Sequence, residues 1–265
     1  MPALPPEFLA RPIAHRALHD RAAGRPENSL AAVAAAVEAG YGIEIDLQLS
    51  RDGVPIVFHD YALSRLTGTQ GPVRARTAAE LGGLGLLGTA ERVPTLAQVL
   101  DLVAGRVPLL IEIKDQDGAH GPDVGPLEEA TTRALQGYAG PVAVMSFNPH
   151  SVMAMARLCP NLPRGLTTSS YGAEDWPLLP ALVRDRLREI PDYDAAGCSF
   201  ISHEWGDLDR PRVSELRDAG AAILCWTIRD SGTEAVARKQ AQNITFEGYN
   251  PRPRLTCRGA EPPSP

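Results

Sequence analysis

Short apolar runs alternate along the chain with stretches whose apolar positions recur at helical spacing. The runs occupy 13–15, 43–47, 109–113, 142–146, 165–168, 198–202, 222–228 and 243–246. Their lengths suit buried strands. Between them, 30–39 is rich in alanine and follows Asn28-Ser29, a pair suited to capping a helix, while 96–103 follows Pro94-Thr95, another start signal. Stretches 128–136, 150–158, 213–219 and 232–240 carry further helical patterns. Strands alternating with helices predict a parallel sheet, and this many repeats predict a closed (β/α)8 barrel.

A further apolar run, 54–59, follows strand 43–50 after only Arg51-Asp52-Gly53. That gap is too short for a helical crossover, and Asp-Gly is a hairpin signal. We expect a hairpin over 43–59, in which a two-residue turn at Asp52-Gly53 sets Asp46 opposite His59. Residues 61–93 then have no barrel strand of their own and read as an insertion over the barrel mouth, glycine-rich, with 81–87 a loop holding apolar anchors. The whole of 1–250 is expected to be one domain, a length usual for such barrels. Residues 251–265, with five prolines, are expected to form a disordered tail.

Composition narrows the function. A net charge of -6 and a pI of about 5.6 speak against a non-specific nucleic-acid binder, which is usually basic. They do not exclude a phosphate substrate, because a few cations and a metal can reverse the field inside one pocket. Cys159, Cys198, Cys225 and Cys257 are scattered without a C-x-x-C pair, so neither a zinc site nor a disulfide framework is implied. The first dozen residues lack the basic-then-apolar pattern of a secretory signal, and no apolar run reaches the ~18 residues of a membrane span. A cytoplasmic protein with no stable membrane insertion is expected. A closed barrel offers no sheet edge for pairing, so the oligomeric state stays open.

The candidate chemistry lies at the strand ends. Glu44 and Asp46 are two apart on a strand and share a face, while Ile43, Ile45 and Leu47 take the other. Paired carboxylates in a core are costly unless a positive group lies between them. A hard divalent cation meets that need, and an Arg or Lys partner is the structural alternative. Ile111-Glu112-Ile113-Lys114 brings a third carboxylate and a cation to the end of another strand, which favours the metal. His15 closes the first strand and His59 the hairpin, and two imidazoles can take and give protons near neutral pH. Arg16 and Lys114 suit phosphate oxygens. Trp226 reads either as a core aromatic or as a wall of the substrate pocket. His19, His120 and His150 read as loop or surface residues, and His203 is a weaker site candidate.

These pieces, taken in order, resemble the glycerophosphodiester phosphodiesterases. The matching residues are His15-Arg16, Pro26-Glu27-Asn28-Ser29, Glu44-Ile45-Asp46, Asp52-Gly53, Pro55 through Asp60, Pro94-Thr95-Leu96, Ile111-Glu112-Ile113-Lys114, Ser146-Phe147, Trp226-Thr227 and Ile244-Thr245. The resemblance implies a TIM barrel with a small inserted cap, and Mg²⁺ or Ca²⁺ held by Glu44, Asp46 and Glu112. It makes His15 and His59 the acid/base pair, with Arg16, Lys114 and Trp226 on the substrate. It implies attack by the substrate's own glycerol 2-hydroxyl, with a cyclic phosphate opened by water to glycerol 3-phosphate. Two positions depart from the family pattern. Ala17 stands where His-Arg is normally followed by glycine, and Thr245-Phe246-Glu247 lacks the aspartate of Thr-Asp-x-Pro. Both bear on substrate preference. Lysophospholipid cleavage on the same site is an alternative, with Leu84, Leu86 and Leu87 as an acyl groove, and a non-catalytic phosphate-ligand binder is a third reading.

Overall fold

The computed structural model describes residues 2–251. A short helix, α1 (Glu7–Ala10), precedes β1 (Ile13–Ala14); α2 (Leu30–Ala39) leads into β2 (Gly42–Leu49), and β3 (Pro55–Val57) returns beside it. The insertion carries α3 (Ser64–Thr67) and α4 (Ala78–Gly82), and α5 (Leu96–Val103) follows. Strands and helices then alternate: β4 (Leu109–Ile113), α6 (Pro126–Ala134), β5 (Val142–Ser146), α7 (Pro149–Leu158), β6 (Arg164–Thr168), α8 (Ala181–Arg188), β7 (Phe200–Glu204), α9 (Pro211–Asp218), β8 (Ala222–Ile228), α10 (Ser231–Ala237) and β9 (Asn243–Phe246).

Parallel pairing runs β1-β9-β8-β7-β6-β5-β4-β2, and Ile13 of β1 pairs with Gly42 of β2, which closes the ring. The predicted TIM barrel is the observed one. Its helices start where the sequence caps them: Ser29 accepts from the Ala32 amide, and Thr95 and Gln98 form a capping box on α5.

The barrel interior is apolar below and polar above. Phe8 of α1 plugs the bottom among Ile13, Leu110, Met145, Phe200 and Leu224. Asn243 holds it there, donating to the carbonyls of Phe8 and Arg11 at 2.6 Å each. Along β2 the alternation is strict. Ile43, Ile45 and Leu47 belong to the core between strands and helices, where full burial contributes about 1.5–3 kcal/mol per side chain. Glu44, Asp46 and Gln48 take the opposite face, inside the barrel and toward its carboxy-terminal rim.

Four expectations need correction. The hairpin register is Leu47↔Val57, so Asp46 lies opposite Phe58, whose amide donates to the Asp46 carbonyl at 2.9 Å; His59 is one step further on. The cause is Gly53, left-handed at φ +77, which makes Arg51-Asp52-Gly53 a three-residue loop. β7 begins at Phe200, because Gly197 turns the chain at φ +62 before it. His203 therefore lies within β7, on its outer face, bound to Thr168 and Asp207 and away from the site. Finally, Leu84 and Leu86 pack with Ile56, Phe58, Leu63 and Val73 in the insertion's own small core, so of the three leucines only Leu87 stays exposed and they form no acyl groove.

Pro251 is buried, and its carbonyl accepts a hydrogen bond from the Tyr41 hydroxyl; residues 252–265 of the expected tail, with Cys257, lie outside the described residues. Among the described residues Cys159, Cys198 and Cys225 are free thiols, and no helix is long and apolar enough to cross a membrane.

Candidate active site

The carboxylates predicted from β2 and β4 converge. Asp46 and Glu112 are register partners on neighbouring strands, and Glu44, Asp46 and Glu112 offer oxygens within 4.8 Å of one another, all three residues buried. Lys114 bridges two of them, with Nζ 2.9 Å from Asp46 Oδ1 and 2.6 Å from Glu112 Oε1. Asn28 donates to Asp46 Oδ2 at 2.9 Å. Burial pushes Asp46 upward, but Lys114, then His59, Arg16 and His15, outweigh it and hold the carboxyl well below the usual range. Glu44 goes the other way: burial first, then the charges of Asp46 and Glu112, raise it well above an ordinary glutamate. Three buried carboxylates with Lys114 and Arg16 alone leave Glu44 poorly compensated, and Asp46 Oδ1 makes no properly directed hydrogen bond. An all-oxygen donor set with an unbalanced negative charge fits a hard divalent cation.

The loop after β1 explains how Arg16 joins this cluster. Arg16 and Ala17 are both left-handed, at φ 50 and 63. That turn points the Arg16 amide at Glu44 Oε2, 2.8 Å away, and lets the Ala17 amide donate to the Glu44 carbonyl at 2.9 Å. A glycine would adopt this backbone freely, whereas an alanine there costs about 1–2 kcal/mol. Ala17 therefore keeps the turn and carries its strain. The Arg16 guanidinium pairs with Glu27 at 2.8 Å, and its Nε, 3.7 Å from Asp46, has no hydrogen-bond partner.

Each histidine carries a carboxylate on Nδ1, and each carboxylate is gripped by an arginine. His15 Nδ1 lies 2.6 Å from Glu247, which Arg229 holds at 2.7 Å. His59 Nδ1 lies 2.8 Å from Asp60, which Arg65 of α3 holds at 2.6 Å. Arg65 also binds Glu27, tying the insertion to Arg16. Burial lowers His15 below its ordinary value against the raising effect of Glu247. The His15 hydrogen bond, followed by that of His19, holds Glu247 well below the usual carboxylate range. Glu247, Asn28 and Glu27 were not singled out as site residues by residue type. Glu27 and Asn28 sit in a recognisable motif, whereas Glu247 appears in the sequence only as a departure.

Trp226 lies within β8, two residues before its end, and is partly buried, its Nε1 donating to the Ser202 carbonyl at 3.0 Å. It meets Phe147 edge-on at 5.6 Å, and Trp176 packs against Phe147 at a tilt, with ring centroids 4.8 Å apart. Trp226 thus belongs to an aromatic cluster with Phe147 and Trp176.

The family described as "Glycerophosphoryl diester phosphodiesterase family" matches residues 15–245. The chain belongs to this family, and as an enzyme it is a phosphoric diester hydrolase acting on glycerophosphodiesters. A glycerophosphodiester phosphodiesterase of Bacillus subtilis (strain 168) is 30% identical over 205 residues, 71% of this chain and 67% of the relative. Another, from Caldanaerobacter subterraneus subsp. tengcongensis, is 35% identical over 162 residues, 57% of this chain and 65% of the relative. A phosphodiesterase of Oleispira antarctica, solved in complex with the product sn-glycerol 3-phosphate, superposes with a TM-score of 0.73 at 27% identity, covering 91% of this chain and 93% of its own.

Proposed function

We propose that the enzyme cleaves glycerophosphodiesters to sn-glycerol 3-phosphate and a free alcohol, by two-imidazole acid–base catalysis beside a divalent cation. The observation that carries this reading is the meeting of Glu44, Asp46 and Glu112 within 4.8 Å of one another, with the amide of Arg16, next to His15, bound to Glu44 and the amide of Phe58, next to His59, bound to the Asp46 carbonyl. The product bound to the Oleispira relative supports the same outcome.

Glu44, Asp46 and Glu112 would hold the cation, Mg²⁺ or Ca²⁺. When bound, it supplies a Lewis acid that acidifies a hydroxyl and offsets charge on phosphoryl oxygens. Arg16 Nε, a donor without a partner, and Lys114 bind those oxygens. Trp226 and Phe147 form an apolar wall for the glycerol carbons. The Glu247 and Asp60 carboxylates fix a proton on Nδ1 of each imidazole and leave Nε2 facing the substrate. His15, kept neutral by burial, takes the proton of the glycerol 2-hydroxyl as that oxygen attacks phosphorus. His59 gives its proton to the departing alkoxide. Water, deprotonated by His59, then opens the cyclic phosphate as His15 returns its proton.

The test is release of glycerol 3-phosphate from glycerophosphocholine with Mg²⁺, with Ca²⁺ and with EDTA. Metal-dependent release is expected, with His15→Ala and His59→Ala each reduced by about 10²-fold or more. Undiminished release in EDTA, or an active His15→Ala enzyme, would falsify this mechanism.

A further inference from the structure

Beside the carboxylates a cavity of about 250 Å³ opens, lined among others by Gln48, Tyr61, Arg74, Gln116, Asp117 and Leu178. Gln48 is two residues beyond Asp46 on the same strand face, so the cavity floor stands roughly 7 Å further toward the rim. Its amide donates to the His59 carbonyl at 3.1 Å and accepts from Gln116 at 3.1 Å. The floor is thus bonded internally and joined to one catalytic histidine. The walls come from separate segments: Tyr61 and Arg74 from the insertion, Asp117 from the loop after β4, Leu178 from the loop after β6. These segments meet closely, because a Cβ on Gly118 would lie 3.5 Å from Leu178 and 3.9 Å from the Tyr61 hydroxyl.

The cavity carries two exposed charges of opposite sign. Arg74 and Asp117 line it together, and neither enters an ion pair among the described residues, where most arginines do. Asp117 accepts only the Ala119 amide, at 2.8 Å. Burial, then Asp115, push the Tyr61 hydroxyl up to about 12 against the lowering effect of Lys114, with a smaller raising contribution from Asp117. An aromatic face next to a carboxylate favours an ammonium, and an unpaired guanidinium favours a carboxylate.

Resting on the reaction proposed above, we infer that this cavity receives the leaving alcohol and selects a zwitterionic one, with its ammonium on Asp117 and Tyr61 and its carboxylate on Arg74. The floor's hydrogen bond to the His59 carbonyl joins the cavity to the residue assigned as proton donor to the leaving alcohol.

Four diesters distinguish the possibilities: sn-glycero-3-phosphoserine, -phosphoethanolamine, -phosphocholine and bis-glycerophosphate, each with wild type, Arg74→Ala and Asp117→Asn. The serine diester is expected to have the highest kcat/KM. Arg74→Ala lowers it by about tenfold and leaves the ethanolamine diester unchanged, while Asp117→Asn lowers both and leaves the glycerol diester unchanged. Equal turnover of all four diesters, or variants that slow them all alike, overturns the assignment of the cavity alone. Absence of turnover on every diester overturns the reaction itself, and this inference with it.

Discussion

In the mechanism proposed above, Glu247 on Nδ1 leaves the His15 ring one free nitrogen and gives a counter-charge to the imidazolium it would become. Glu247→Gln keeps the shape and removes the charge. kcat is expected to fall on the order of 10²-fold or more with little change in KM. The pH profile separates this from a merely structural role. Burial and Arg16 lower His15, and both the hydrogen bond and the charge of Glu247 raise it. Removing the charge moves the acid limb of kcat/KM to lower pH, and Glu247→Asp restores part of the rate. A limb that stays in place would mean that Glu247 only packs. The sequence pattern made the meeting of Glu44, Asp46 and Glu112 legible, because strand alternation fixes which way such residues face. It could not pair His15 with Glu247, since their contact spans 232 positions and no local period encodes it.

At the scale of elements, the eight barrel strands and the two best-capped helices were readable. α2 and α5 match their predicted bounds because Ser29 and Thr95 start them in the expected way. α8 escaped notice because only Val183 and Leu187 carry its apolar stripe, while Leu182 stays largely exposed. The hairpin missed by one residue, since an Asp-Gly pair serves two-residue and three-residue loops alike. α1 is too short to show any periodicity, yet its Phe8 closes the barrel bottom and is fully buried. Phe8→Ala would leave a cavity there and cost about 3–5 kcal/mol in urea unfolding. The active site lies at the opposite end of the strands, so kcat of the folded variant should be unchanged. A loss under 1 kcal/mol, on the scale of about one buried methylene, would show that the plug is dispensable.

For the molecule as a whole, the stacking of an apolar floor beneath a charged rim separates stability from chemistry, and Glu44 is where the two meet. Its folded-state carboxyl is raised by burial and by Asp46 and Glu112. Its stabilising contribution is therefore present below the ordinary glutamate range and is lost as pH rises through the raised value. Asp46 works in the opposite direction, since its depressed carboxyl stabilises the fold above the usual aspartate range and is lost only in strong acid. Between these windows, a metal-free protein carries an uncompensated charge that grows with pH. A divalent cation held by Glu44, Asp46 and Glu112 would remove that burden, adding about 2.7 kcal/mol at a hundred times its Kd. Protons compete for the same oxygens. The rise in Tm produced by Mg²⁺ or Ca²⁺ should thus be larger at pH 8 than at pH 5, and Glu44→Gln should shrink it while leaving the barrel folded. If the shift is the same at both pH values, or survives Glu44→Gln intact, the cation binds elsewhere and the carboxylates are held by Lys114 and Arg16 alone.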